Sequence, residues 1–259
     1  MRMQAIREFM NYFSFLYELF KRDFKKKYYK SVLGVVWTLL NPLLMMTVMT
    51  IVFSTLFRRS IEYFPVYYLC GYVMMSFNSM TTTQSLNCIL NNSGLIRKIH
   101  VPNYMFCLAT VGVNAFTMVI SLIPMFLMIL VTGAPVTPYL LLIPVPLILL
   151  LIFTTGLSLA LSITGVFFRD MKHLYSIITT IWMYATPTFY PISIIPQQYR
   201  FIWDLNPLYH YITMMRDLVL YRTIPSQQTL FIATCYSLLM LVTGILVFKK
   251  YQDRIYTHL

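Results

Sequence analysis

Tyr139–Phe168 reads YLLLIPVPLILLLIFTTGLSLALSITGVFF, thirty residues without an Asp, Glu, Lys or Arg. A hydrocarbon core about 30 Å thick takes roughly 20 apolar residues of helix. The stretch is therefore long enough to cross a membrane, and tilt or an interfacial start at Pro144 and Pro146 absorbs the excess. Five further runs share its character: Leu33–Phe57, Pro65–Gln84, Tyr104–Thr132, Leu174–Pro191 and Gln228–Phe248, none with a charged side chain. One ionised residue at mid-bilayer costs about 2.5–3.5 kcal/mol, so six uncharged runs in one chain predict six spans. The whole chain agrees, with 259 residues, 58% hydrophobic and 11% charged. A soluble domain carries roughly 25% charged residues, so a water-soluble enzyme and a disordered chain are both excluded. The sequence predicts an all-α integral membrane protein in a single domain, 1–259.

The net charge of +12 raises nucleic-acid binding, but cytoplasmic loops of membrane proteins collect Lys and Arg without any such partner. Placing the first residues inside puts 15 basic residues on the inner side and five on the outer. Both termini are therefore expected in the cytoplasm, and nucleic acid is not expected as a partner. The four cysteines, Cys70, Cys88, Cys107 and Cys235, form no Cys-x-x-Cys and have no His at ligand spacing. They support neither a disulfide framework nor a metal site.

Residues 1–32 lack the apolar core of a secretory signal. Ile6, Phe9, Phe13, Leu16, Phe20 and Phe24 recur at steps of three or four, opposite Arg7, Glu8, Asn11, Glu18, Lys21, Arg22 and Lys25. That is one amphipathic helix, which either lies in the headgroup plane or packs its apolar stripe on protein. At the other end of the chain, segment 192–227 alternates short apolar pieces with Pro196, Pro207 and Pro225. Its pieces are too short to cross. They predict re-entrant half-helices between the fifth and sixth spans, with a folded external loop as the alternative.

Active transport needs an energy source. No ionisable residue lies within the six runs, where ion-coupled carriers usually hold one. None of the eight glycines is followed by Lys, so no phosphate-cradling Walker loop is present. Any ATP and Mg chemistry must sit on a separate subunit, with no cofactor on this chain. The turn 91–102, NNSGLIRKIHVP, suits attachment of such a motor. Ser93 is placed to cap a short helix carrying Leu95, Ile96, Arg97, Lys98, Ile99 and His100. Apolar side chains beside charges fit a partner's socket; a plain juxtamembrane turn is the alternative.

Lys27-Tyr28-Tyr29-Lys30-Ser31-Val32-Leu33-Gly34-Val35-Val36-Trp37 with Asn41-Pro42 resembles the entrance to the first span in permeases of type 2 ABC exporters. This is the branch that exports O-antigen, capsule or teichoic acid. The likeness recurs in order at Gly94–Pro102, which is similar to that family's coupling helix. Phe168-Arg169-Asp170, Pro187 with Tyr190-Pro191, Asn206-Pro207 and Arg216-Asp217 follow. The resemblance implies a homodimer of six-span subunits joined to two nucleotide-binding ABC subunits in a bacterial cytoplasmic membrane. It implies a channel for a polymer carried on an undecaprenyl diphosphate lipid, and an outer gate made by 192–227.

Several expectations for side chains follow. Trp37, Trp182, Tyr184, Phe189 and Tyr190 fall within the first and fifth spans, which line the channel in that family. There they would offer flat faces to sliding sugars, or else pack between helices. Arg58 and Arg59 are candidate phosphate contacts at the outer end of the first span, or solvated loop charges. Ser76–Asn87 departs from the family in its wealth of Ser, Thr, Asn and Gln, either as a polar channel lining or as small-residue helix packing. Two rival readings stay open: a permease of the same class for a drug, haem or lipid, and a lipid-linked membrane enzyme.

Overall fold

A computed structural model of the chain describes residues 2–29, 33–56, 61–98, 101–168, 170–192, 196–199 and 201–255. Arg58, Arg59, Ile99 and His100 lie outside the described residues. The described elements are helical throughout: α1 (Arg2–Tyr28), α2 (Val36–Leu56), α3 (Phe64–Ser85), α4 (Ser93–Ile96), α5 (Tyr104–Thr132), α6 (Pro144–Phe167), α7 (Met171–Ala185), α8 (Phe201–Asp204), α9 (Pro207–Arg216) and α10 (Gln227–Tyr251). Among the described residues, four helical stretches are long and apolar enough to cross a membrane: Val36–Phe53, Tyr104–Thr132, Pro138–Phe167 and Gln227–Arg254.

The other two expected spans differ for separate reasons. Helix α7 has 15 residues, about 22 Å at 1.5 Å per residue, against a core of about 30 Å. It stops at Ala185, short of the expected Pro191, because Thr186 precedes a proline and is extended (φ −94°, ψ 134°). The ring of Pro187 disfavours helical backbone in the residue before it. Helix α3 is 22 residues long, but its second half is polar. It sits at the centre, touching α2, α5, α6, α7 and α9. Val66, Tyr68, Leu69, Cys70 and Met74 are fully buried.

Helix α1 packs along α5, the contact with protein that one of the two readings of the amphipathic segment expects. Phe20 and Phe24 meet Phe116 edge-on, at 6.3 and 5.3 Å between ring centres, and Phe15 meets Phe106 the same way. The seam is rotated from the expected stripe. Leu19 is buried, whereas Phe13 is 63% exposed, since the aromatic groove on α5 takes up Phe15, Phe20 and Phe24 and leaves Phe13 on the far side. Helix α5 ends at Gly133, whose φ of 70° is the left-handed cap that glycine adopts without strain. Helices α6 and α10 pack along most of their length. Ser237 on α10 bridges them, donating to the Leu149 carbonyl at 2.9 Å while sharing a 2.7 Å bond with Tyr211 of α9.

Candidate functional site

From Tyr72 to Asn87, helix α3 divides its side chains between two faces. Asn78, Thr81, Thr82 and Ser85 repeat at steps of three, one and three, and none is exposed. This face packs inward, with Thr154 of α6 donating to Asn78 Oδ1 at 3.1 Å and Thr82 bonding back to the Asn78 carbonyl at 2.6 Å. The residues left open are Tyr72, Ser76, Ser79, Met80, Thr83, Gln84 and Asn87. The packing reading of the polar stretch thus describes its inward face, and the other face is left open.

The open face forms the floor of a furrow made of three adjoining cavities. The largest, about 620 Å³, has Arg22, Lys26 and Lys27 of α1 opposite Thr83, Gln84 and Asn87. The second, about 410 Å³, continues past Ser79 and Ser76 to Thr188 and Phe189. The third, about 260 Å³, branches from Ser76 and Met80 towards Trp37, Asn41 and Lys27. At 1.5 Å per residue, the helical part of the open stripe, from Tyr72 to Gln84, is about 18 Å long.

Lys27 stands where two of these cavities meet. Its Nζ donates to Asn114 Oδ1 at 2.9 Å and Thr117 Oγ1 at 2.8 Å, and Asn114 passes the network on to Gln84 Oε1 at 2.9 Å. All three partners are neutral. Burial without a carboxylate pulls the Lys27 ammonium down to about 8, because low dielectric disfavours the charged form.

The expected motor-facing turn is only partly outward. Ile96 is 3% exposed and packs among Leu19, Ile89, Met105 and Phe106, with Leu95 beside it, whereas Arg97 and Lys98 are exposed. The expectation of an outward Ile96 is corrected: a one-turn helix over a hydrophobic cluster buries its apolar side and shows its charges. Ser93 does not cap it either. Asn92 holds the cap position without a capping bond, and its side chain is spent elsewhere. Its amide donates to the Cys88 carbonyl at 2.7 Å, and its oxygen accepts from Arg22 Nη2 at 2.8 Å. Arg22 also pairs with Asp23 at 2.7 Å. The helix and the turn singled out separately in the sequence are thus joined directly.

The five expected channel rings are not brought together on one wall. Trp37 is 50% exposed and borders the furrow. Phe189 is buried, stacked on Tyr68 at 5.8 Å, with its edge at the second cavity. Tyr184 is 62% exposed, and its carbonyl accepts from the Tyr190 hydroxyl at 2.9 Å. Trp182 is committed to structure: Nε1 donates to Asn206 Oδ1 at 2.9 Å, while Asn206 donates to Thr186 Oγ1 and also caps α9 through Leu208 N–H. The Asn-Pro pair thus serves as cap and first turn, and as a brace to the end of α7.

Arg216, one of the polar groups expected to be sheltered in the segment before the last span, is 5% exposed. Nη1 donates to the Pro187 carbonyl at 2.7 Å, Nη2 donates to that of Thr188 at 2.9 Å, and the guanidinium lies 3.5 Å from the centre of the Tyr67 ring. It pins the irregular backbone after α7 onto α3. Among the described residues, no three His, Cys, Asp or Glu side chains converge as a metal site requires.

Residues 15–220 match the family model described as ABC-2 type transporter. The chain belongs to the ABC-2 type transporter family. It is 28% identical over 252 residues to the O-antigen export system permease protein RfbA of Myxococcus xanthus, covering 96% of this chain and 97% of that one. A Klebsiella pneumoniae O-antigen export system permease protein RfbA is 27% identical, with 93% of each chain covered. The polysialic acid transport protein KpsM of Escherichia coli is 24% identical, over 92% of this ABC-2 chain and 94% of its own.

Proposed function

We propose that the chain is the membrane subunit of an ATP-driven exporter moving a cell-surface polysaccharide across a bacterial cytoplasmic membrane. The observation that carries this reading is the match, over nearly its whole length, to permeases named for O-antigen export and polysialic acid transport. The geometry supports it, since an apolar helical body holds a polar furrow. The cargo is a glycan or polyol-phosphate polymer on an undecaprenyl diphosphate lipid, of the O-antigen, capsule or teichoic-acid kind.

Two copies of the chain pair, and two nucleotide-binding subunits supply ATP and Mg chemistry. In this proposal α2, α3, α5, α6, α7 and α10 are the six crossings, the last six residues of the fifth being non-helical, and both termini are cytoplasmic. Segment 192–227 dips into the outer leaflet as a gate. The turn carrying Arg97 and Lys98 meets the motor, with α1 bonded behind it through Arg22 and Asn92. Trp37 and Tyr184, exposed in the single chain, face the space between the two copies.

The test is genetic and biochemical together. Deleting the gene should leave the polymer inside the cell, and export should return with the wild-type chain only when its nucleotide-binding partner retains the Walker lysine. Unchanged surface polymer in the deletion strain would refute the proposal.

A further inference from the structure

The furrow on α3 differs from the expected ring-lined wall in both position and chemistry. Its floor carries Ser76, Ser79, Thr83, Gln84 and Asn87 in one line, the only apolar side chain between Ser76 and Asn87 on that face being Met80. Among the described residues, no side-chain hydrogen bond occupies Ser79, Thr83 or Asn87. Lipid has no hydrogen bonds to give, so a membrane protein does not leave a row of such groups facing hydrocarbon. The opposite polar face of the same helix is wholly buried, with Thr82, Ser85 and Asn78 Oδ1 hydrogen-bonded and Asn78 Nδ2 and Thr81 Oγ1 packed without a partner among the described residues, so the contrast between the two sides is one of exposure.

We infer that this furrow is the surface along which the glycan chain travels, with its sugar hydroxyls exchanging hydrogen bonds among Ser76, Ser79, Thr83, Gln84 and Asn87. The inference rests on the export reading above and names where, in this chain, the cargo is held. Hydroxyl and amide groups both give and accept hydrogen bonds, and so do sugar hydroxyls. No single contact is strong in a wet cleft, so an extended chain can shift from one set of partners to the next without a deep trap. The Tyr72 and Trp37 rings stand at its sides, where the flat faces of sugars find apolar contact. From α1, three cations (Arg22, Lys26 and Lys27) and one carboxylate (Asp23) border this floor, and Lys27 is bonded to neutral partners. The furrow therefore takes neutral or anionic chains and disfavours cationic ones.

The experiment uses the full transporter in native membranes, with its nucleotide-binding partner and lipid-linked polymer. A benzophenone amino acid replaces Ser79, Thr83, Tyr184 or the outward Leu239 of α10, one at a time, and light-induced adducts are probed with a lectin or antibody for the polymer. Adducts at 79 and 83 at least tenfold above those at 239 are expected. In parallel, Ser79→Trp and Thr83→Trp should cut export tenfold or more at unchanged membrane level, while Leu239→Trp exports normally. Capture at 184 without capture at 79 and 83 overturns the furrow and leaves the export reading standing. Normal export by both tryptophan variants overturns it as well. If deleting the whole chain leaves surface polymer unchanged, the export reading fails first.

Discussion

Gly156 of α6 and Gly244 of α10 face each other backbone to backbone. A Cβ on Gly244 would run into the Gly156 carbonyl, and one on Gly156 into the Met240 carbonyl. No side chain stands between that can swing aside, so the helices must separate to admit a methyl group. Overpacking of this kind costs about 1–3 kcal/mol. Gly244→Ala should lower the detergent-solubilised midpoint of unfolding, and Gly244→Val should lower it further. An unchanged midpoint for both would show that the crossing is loose.

Asn206 should be less replaceable than its surface position suggests. Asn206→Ala removes a helix cap, a loss of about 1 kcal/mol, and strips partners from Trp182 Nε1 and Thr186 Oγ1. The combined loss is expected at about 2–3 kcal/mol. Trp182→Phe breaks only one of these bonds, so it should show the smaller shift in a thermal melt. Equal shifts would contradict the bracing role.

Arg216 is expected to reject even lysine. Its guanidinium reaches two successive carbonyls while stacking on Tyr67, and a lysine ammonium lacks both the planar fork and the stacking face. Arg216→Lys should free the Pro187–Thr188 backbone and raise protease or thiol-reagent access at 187–190 several-fold. Unaltered access would show that other contacts hold that segment.

The Lys27 ammonium is lowered by burial from 10.5 to about 8, which sets a sign. Between about pH 8 and 10.5 the unfolded chain binds more protons than the folded one, so stability rises with pH across that window. The buried charge is a full cost below about pH 8 and is relieved as pH climbs. Lys27→Met removes the titration, so the melting difference between wild type and variant should change between pH 7.5 and pH 10 in favour of the wild type. Parallel curves over that range would count against burial of the ammonium.

Ile96 and the Arg97–Lys98 pair should separate folding from coupling. Ile96→Asp buries a carboxylate among Leu19, Met105 and Phe106 and should unfold the turn, lowering membrane levels. Arg97→Glu with Lys98→Glu should leave levels normal while reducing co-purification of the nucleotide-binding subunit several-fold. If the charge-reversed pair retains full co-purification, the motor docks elsewhere.

How far the residues themselves disclosed this arrangement varies by element. Uncharged apolar runs are a strong signal because lipid tolerates so few alternatives, and helices stand in every one of the six expected stretches. The end of α7 was misjudged because Thr186–Tyr190 is apolar enough to look like span, although Pro187 forbids helix before it. A short helix stands at Ser93–Ile96, but which side faces in depends on packing against Leu19, Met105 and Phe106 of other helices. For Ser76–Asn87 the composition was plain and the division into two faces was not, since a period of 3.6 becomes visible only when the packing partner is known. For Arg216 a sheltered place is readable from its proline-broken segment, but its partners, the Pro187 and Thr188 carbonyls, are set by the tertiary fold.

The polar second half of α3 also bears on how the chain is made. A translocon partitions each emerging helix by its own affinity for lipid, and the Asn, Gln, Ser and Thr content of α3 weakens that affinity. The groups that cover Asn78 and its neighbours lie on later helices, Thr154 among them. During synthesis the ribosome is therefore some seventy residues past α3 before the partner that settles it in the bilayer exists, and the half-made protein is at its most vulnerable to quality-control proteases in that interval.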